Sequence, residues 1–205
     1  MELEFEKILE KTRDFTYDKG IKRMSMDEIA NSLKVPKKIL LKYVKNKQEL
    51  VTKVLDFERD SFGTIFEEYN FEGVNAIDIL MIVGKEISKR FKKVNPMVTY
   101  EIQKYYPALY QKHIEKRIDF IYEKMKINIE KGICQGMYRD DLSVELVARL
   151  YISRLIDMHN PELFPPDKFS FPVLFDVMFD NFVRGIANPT GIAYYEQKKQ
   201  ALNLK

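Results

Sequence analysis

Apolar residues recur at three- and four-residue intervals along nearly the whole chain, the spacing of one face of an α-helix. Phe5, Ile8, Leu9, Thr12 and Phe15 set this pattern for a first helix, and Gly20 after Lys19 supplies its stop. Ser25-Met26-Asp27-Glu28 has the form of a capping box, in which the Ser25 side chain accepts from the Glu28 amide and the Glu28 carboxylate reaches back. The short helix it opens would turn Met26, Ile29, Ala30 and Leu33 inward. Pro36 suits the first position of a third helix, where its missing N–H leaves nothing unpaired, and that helix would bury Leu40 and Val44. With only Lys34 and Val35 between them, the second and third helices read as a helix-turn-helix.

Beyond Lys47 the periodic segments lengthen. They predict helices over roughly 48–69, 74–93, 96–106, 108–134, 143–159 and 170–187, punctuated by Pro96, Pro107 and the prolines of 161–166. No Val/Ile/Thr-rich alternating run bounded by turn residues occurs, so no β-sheet is expected. The polar tail after Pro189 is expected to fray unless Ile192, Tyr194 and Tyr195 dock. The fold class is therefore all-α, with a three-helix helix-turn-helix module over 1–47 and a larger helical domain over 48–205. The longest apolar run, Ile79 to Gly84, is far short of the ~20 residues that cross a bilayer. Residues 1–6 carry neither a basic start nor an apolar stretch, so neither a leader nor a membrane segment is expected, and the location implied is cytoplasmic.

Charge changes the picture only when it is divided along the chain. The net of +3 conceals 12 basic against 8 acidic side chains in residues 1–48 and a near balance in the rest. Lys34, Lys37, Lys38, Lys42, Lys45 and Lys47 fall in one stretch without a single acid. Such a block on an otherwise neutral protein is the footprint of a surface that binds phosphates, or of a solvated helix face.

Candidate catalytic chemistry is thin. His113 and His159 stand apart with no metal-ligand spacing, and Cys134 lacks a second thiol, so no metal site and no cofactor are expected. His113-Ile114-Glu115 reads as a polar helix face, and Cys134, just after Gly132, as a small packing residue. The glycines form no phosphate loop or nucleophile elbow. No catalytic residue is assigned, and the chain does not read as an enzyme.

Ser25-Met26-Asp27-Glu28-Ile29-Ala30, then Val35, Lys37 and Leu40, then Tyr43-Val44-Lys45-Asn46-Lys47 with Glu49-Leu50, resemble the DNA-binding module of the TetR family of bacterial transcriptional regulators. The likeness covers about residues 5–55. A looser one, Gly132 and Gly136 followed by Arg139, Asp141-Leu142, Glu145 and Ala148, is similar to the turn between the antepenultimate and penultimate helices of many effector domains in that family. The resemblance implies a repressor that binds a palindromic DNA operator as a homodimer and is released by a small-molecule effector.

Departures from the family pattern bear on mechanism. Ile39 stands where relatives usually carry a small hydroxyl residue, Leu41 where they carry tyrosine, Lys38 where glycine is frequent, and Pro36 where serine often caps. What remains for DNA is Lys37, Lys38, Lys42, Tyr43 and Lys47, with Lys47 resembling the family's phosphate-clamping lysine. These groups suit phosphate oxygens better than base edges. Leu41 and Tyr43 also read as module core.

In relatives, the helices that follow enclose an effector pocket. Phe66, Met97, Tyr100 and Tyr110 are its candidate lining here, with Gln103 or His113 as a polar anchor, and the aromatic content points to a small apolar or aromatic effector. For the dimer, 11 of the 17 residues in 171–187 are apolar and surround the helix, so it needs cover on two sides. Leu146, Leu150, Tyr151 and Leu155 with Phe175, Met178, Phe179, Phe182 and Val183 are the candidate four-helix interface. A second functional class remains open: a helical interaction protein whose basic module meets an acidic protein partner.

Overall fold

The computed structural model describes residues 2–22, 25–91 and 97–201. The helices in chain order are α1 (Glu2–Lys19), α2 (Met26–Leu33), α3 (Lys37–Tyr43), α4 (Lys47–Glu68), α5 (Ala76–Phe91), α6 (Met97–Tyr105), α7 (Pro107–Cys134), α8 (Val144–Asp157), α9 (Phe171–Ile186) and α10 (Pro189–Ala201). No strand occurs among the described residues, only an isolated antiparallel bridge between Tyr138 and Ala187.

Caps set the helix ends as local chemistry dictates. The Ser25–Glu28 box forms in both directions, with 3.1 Å from the Glu28 amide to Ser25 Oγ and 2.8 Å from the Ser25 amide to Glu28 Oε2. α2 ends on Lys34, which takes the left-handed conformation at φ 55° and lets the Val35 amide reach the Ala30 carbonyl. That conformation costs a side-chain-bearing residue about 1 kcal/mol relative to glycine, a cost carried by the tight turn. Pro36 stands one place earlier than expected, as the cap rather than the first helical residue of α3.

The chain divides into two compact units, Met1–Glu68 with Lys93–Arg117, and Tyr69–Lys92 with Ile118–Lys205. The boundary expected after residue 47 thus falls inside the first unit. The reason is a shared apolar cluster: Leu50, Val51, Val54 and Leu55 of α4 and Val98 and Ile102 of α6 pack with Ile8, Leu9, Ile29, Leu33, Leu40 and Val44. Thr12 is fully buried in α1, its hydroxyl satisfied by the Ile8 carbonyl at 2.7 Å.

In the second unit Tyr138 is buried against Gly132, and its hydroxyl donates to Asn128 Oδ1 at 3.1 Å. The Asn128 amide in turn donates to the Ala76 carbonyl at 2.9 Å, tying α7 to the start of α5. As far as Ala201 the tail is helical, as α10. Asn188 caps α10 by accepting from the Gly191 amide, with Pro189 at the first helical position. Tyr194 donates to Asp78 at 2.6 Å and Tyr195 is buried, so two of the three residues expected to dock do so. With α10 present, the turn after Gly132 precedes three helices rather than two. Cys134 is exposed, contrary to its expected packing role, because it ends α7 on the outward side.

Candidate nucleic-acid interface and effector site

α2, its turn and α3 form the helix-turn-helix, and α3 rests on Leu40, which is 1% exposed. That anchor leaves Lys37, Lys38, Leu41 and Lys42 exposed. Leu41 is 48% exposed, so it is not module core. Lys38 and Lys42 make no ion pair among the described residues.

The other three candidates for DNA are already engaged. Lys37 Nζ lies 2.9 Å from Asp27 Oδ2 in an exposed ion pair. Tyr43 is half-buried, stacked on Phe5 with ring centroids 4.6 Å apart, and its hydroxyl donates to Glu4 at 3.1 Å. Lys47 Nζ donates to the Ile21 carbonyl at 2.8 Å. Burial pulls the Lys47 pKa down, while the carboxylates of Glu101 and Glu28 work in the opposite direction.

The effector candidates scatter over the first unit. Tyr110 and His113, one turn apart on α7, are both half-buried. Burial pushes the His113 pKa down to about 4, helped by Arg117, Arg59 and Lys116 and opposed by Asp56, so the ring is neutral at pH 7. Its Nδ1 is buried with no hydrogen-bond partner among the described residues. Burial raises the Tyr110 pKa. Phe66 is half-buried on α4. Tyr100 and Gln103 are exposed on α6, whose buried side is Val98 and Ile102, and Lys104 sits 5.6 Å over the Tyr100 ring. Met97 opens α6, and its side chain lies outside the described residues. In the second unit a groove of about 300 Å³ runs between α7 and α8, lined by Ile118, Arg149, Ile152, Ser153, Ile156 and Asp157. None of the six effector candidates lines it.

The nine candidate interface residues also divide. Leu146 and Leu150 are 61% and 60% exposed on α8, whereas Tyr151, Leu155, Phe175, Met178, Phe182 and Val183 are buried in the chain's own core and Phe179 is half-buried. Val173 and Val177, 57% and 59% exposed, are the outward apolar residues of α9 that sequence reasoning passed over. Glu101, which holds the α1–α2 turn beside Gly20, has no mark of this role in the sequence. A mid-helix acid carries no local signal of a backbone partner 80 residues away.

Among the described residues, no helix is long and apolar enough to cross a membrane, and no group of three potential metal ligands converges. No family model matches the sequence. No curated protein matches it either. Solved structures do match, across most of the chain. A TetR-family transcriptional regulator from Agrobacterium tumefaciens aligns with a TM-score of 0.67 over 88% of this chain and 96% of its own, at 13% identity. SmeT, the repressor of the Stenotrophomonas maltophilia multidrug efflux pump SmeDEF, aligns at 0.63 over 89% of both chains, at 12% identity. PfmR, a TetR-family transcriptional regulator from Thermus thermophilus, aligns at 0.62 over 86% of this chain and 97% of its own, at 21% identity. The chain has the fold of the TetR-family transcriptional regulators: a helix-turn-helix module followed by a helical domain.

Proposed function

We propose that the chain is a TetR-like transcriptional repressor that binds a palindromic operator as a homodimer and is released by a small apolar or aromatic effector. The carrying observation is a helix-turn-helix, in a fold shared with transcriptional regulators, whose α3 presents Lys38 and Lys42 to solvent with no ion pair among the described residues. The structural neighbours are regulators rather than enzymes, and we assign no catalytic role.

Lys38 and Lys42 are the first phosphate contacts. Lys37 joins them at little cost, because its exposed pair with Asp27 is worth only ~0–1 kcal/mol and a phosphate replaces the carboxylate. Tyr43 reaches DNA by exchanging Glu4 for a phosphate oxygen.

The dimer forms through the outward faces of α8 and α9. These helices run antiparallel, since His159 stacks on Phe171 and Tyr151 packs on Phe182. Leu146 with Leu150 and Val173 with Val177 therefore lie toward opposite ends of the helix pair. A two-fold axis between those ends lays each apolar pair over the other in the partner, the self-complementary arrangement such symmetry requires. Two α3 helices then meet successive major grooves about 34–36 Å apart.

Residues 48–205 carry the effector site, with Phe66, Met97, Tyr100 and Tyr110 as apolar lining and Gln103 as a secondary polar group. His113, neutral and with an unpaired ring nitrogen, suits an apolar effector bearing one hydroxyl or carbonyl. The test is enrichment of duplexes from a random pool by the purified protein, followed by binding across a salt series. The expected result is a palindromic site with a log–log salt slope of about −5, from three lysines per subunit. Salt-sensitive capture of an acidic protein with no duplex enriched would favour the interaction-protein reading instead.

A further inference from the structure

The α1–α2 turn is held from two sides by side chains remote from it in sequence. Glu101 Oε2, on α6, accepts from the Ile21 amide at 2.6 Å and from the Lys22 amide at 3.0 Å. Lys47, the first residue of α4, donates to the Ile21 carbonyl at 2.8 Å. Ile21 itself is buried.

Gly20 makes this approach possible. Its φ of +78° turns the chain out of α1 and its amide closes on the Thr16 carbonyl at 2.8 Å. A Cβ at this position would stand 2.7 Å from Glu101 Oε2, so only glycine both takes the left-handed turn and leaves room for the carboxylate. α6 is itself anchored through Val98 and Ile102, 4% and 6% exposed in the apolar cluster that also holds α2 and α3. A carboxylate on a rigid helix thus meets two consecutive amides of the turn that leads into the helix-turn-helix. Hydrogen bonds to an ionised group are about twice as strong as neutral ones.

We propose that Glu101 is a positioning residue for DNA binding: with Lys47 it clamps the α1–α2 turn, so that α6 sets the stance in which α2 and α3 are presented to DNA. The proposal rests on the DNA-binding reading above. Glu101 touches no phosphate in it and acts through the backbone of Ile21 and Lys22. Lys47 then serves the module's geometry through Ile21 rather than gripping the duplex.

The sign of the effect separates this role from plain electrostatics. Deleting an acid from a DNA-binding module, by charge alone, strengthens binding. Deleting a clamp weakens it, because the duplex must then order the backbone of Ile21 and Lys22 that the clamp otherwise holds, and the salt slope stays the same since no phosphate contact is lost.

The experiment compares the unmodified protein with Glu101→Ala and Glu101→Gln. Amide hydrogen exchange is read at Ile21 and Lys22, and affinity is read for the duplex enriched by the unmodified protein. Glu101→Ala should speed exchange at both amides at least tenfold and weaken binding about tenfold, equivalent to ~1.4 kcal/mol, at an unchanged slope. Glu101→Gln keeps an acceptor oxygen and should fall between the two; it carries the test if the alanine variant does not fold. Unchanged exchange overturns the clamp. Faster exchange with equal or tighter DNA binding overturns the positioning role. An unmodified protein that binds no duplex overturns the DNA reading on which the role depends, and the exchange data tell that failure from failure of the clamp.

Discussion

Replacing Gly132 by alanine sets two effects of known sign against each other. In an open helix the change stabilises by up to ~1 kcal/mol, since alanine loses less backbone entropy on folding. Here the new Cβ would lie 2.1 Å, 2.2 Å and 2.7 Å from Cδ2, Cε2 and Cγ of Tyr138. Carbon atoms in contact sit at about 3.5–4.0 Å, so the ring or the helix must move by more than 1 Å. The ring has nowhere to go. Tyr138 is 2% exposed, its hydroxyl is pinned to Asn128, and its amide and that of Met137 both donate to the Gly132 carbonyl. Overpacking of this kind costs ~1–3 kcal/mol or more, so the net is a destabilisation of about 1–2 kcal/mol. At ~2–4 °C per kcal/mol for a chain of this size, Tm should fall by roughly 2–8 °C. Gly63→Ala in α4 is the control, because nothing lies within 4 Å of its Cβ position. That variant should melt up to ~4 °C higher. Thermal unfolding followed by far-ultraviolet circular dichroism measures both. A Gly132→Ala protein as stable as the unmodified chain, or a Gly63→Ala protein that falls alongside it, would refute the reasoning.

Leu150→Glu should convert a micromolar dimer to a monomer in light scattering while leaving helix content intact, since the side chain is 60% exposed in the single chain; a persistent dimer would remove α8 from the interface. Lys38→Ala and Lys42→Ala should each make the DNA salt slope shallower by about 2 per dimer, and an unchanged slope would hand the phosphate contacts to other residues. His113 is held down at about 4 by burial, from an ordinary 6.5, so the unfolded chain takes up this proton first on acidification. Its contribution is complete above pH 6.5 and is lost as pH falls towards 4, by up to ~3 kcal/mol. Urea unfolding across that range should show this slope in the unmodified protein and its absence in His113→Gln; parallel curves would mean that His113 does not titrate differently on folding.

Much of the fold is local, and so was legible in the sequence. The Ser25–Glu28 box, the stop at Gly20, the burial of Leu40 and Val44 and the long helices all follow from i, i+3, i+4 spacing and end chemistry, which need no distant partner. Even α10 has its local mark, an Asn188 cap followed by Pro189, although its residues are mostly polar. Tertiary structure decided what those residues meet. Spacing could not tell that Leu41 would face outward while Tyr43 stacked on Phe5, since both lie beside the buried face of a seven-residue helix. Nor could it divide the apolar residues of α9, because a helix apolar all round looks the same from every side. Only the packing of Phe175, Phe182 and Val183 inward leaves Val173 and Val177 exposed. The same holds for Glu101 and Lys47, whose chemistry here is set by one turn of backbone 80 and 26 residues away. Helix periodicity and capping are written within a few residues of one another, whereas the partner of an acid, a lysine or an apolar face is chosen by which other segment the folded chain brings against it.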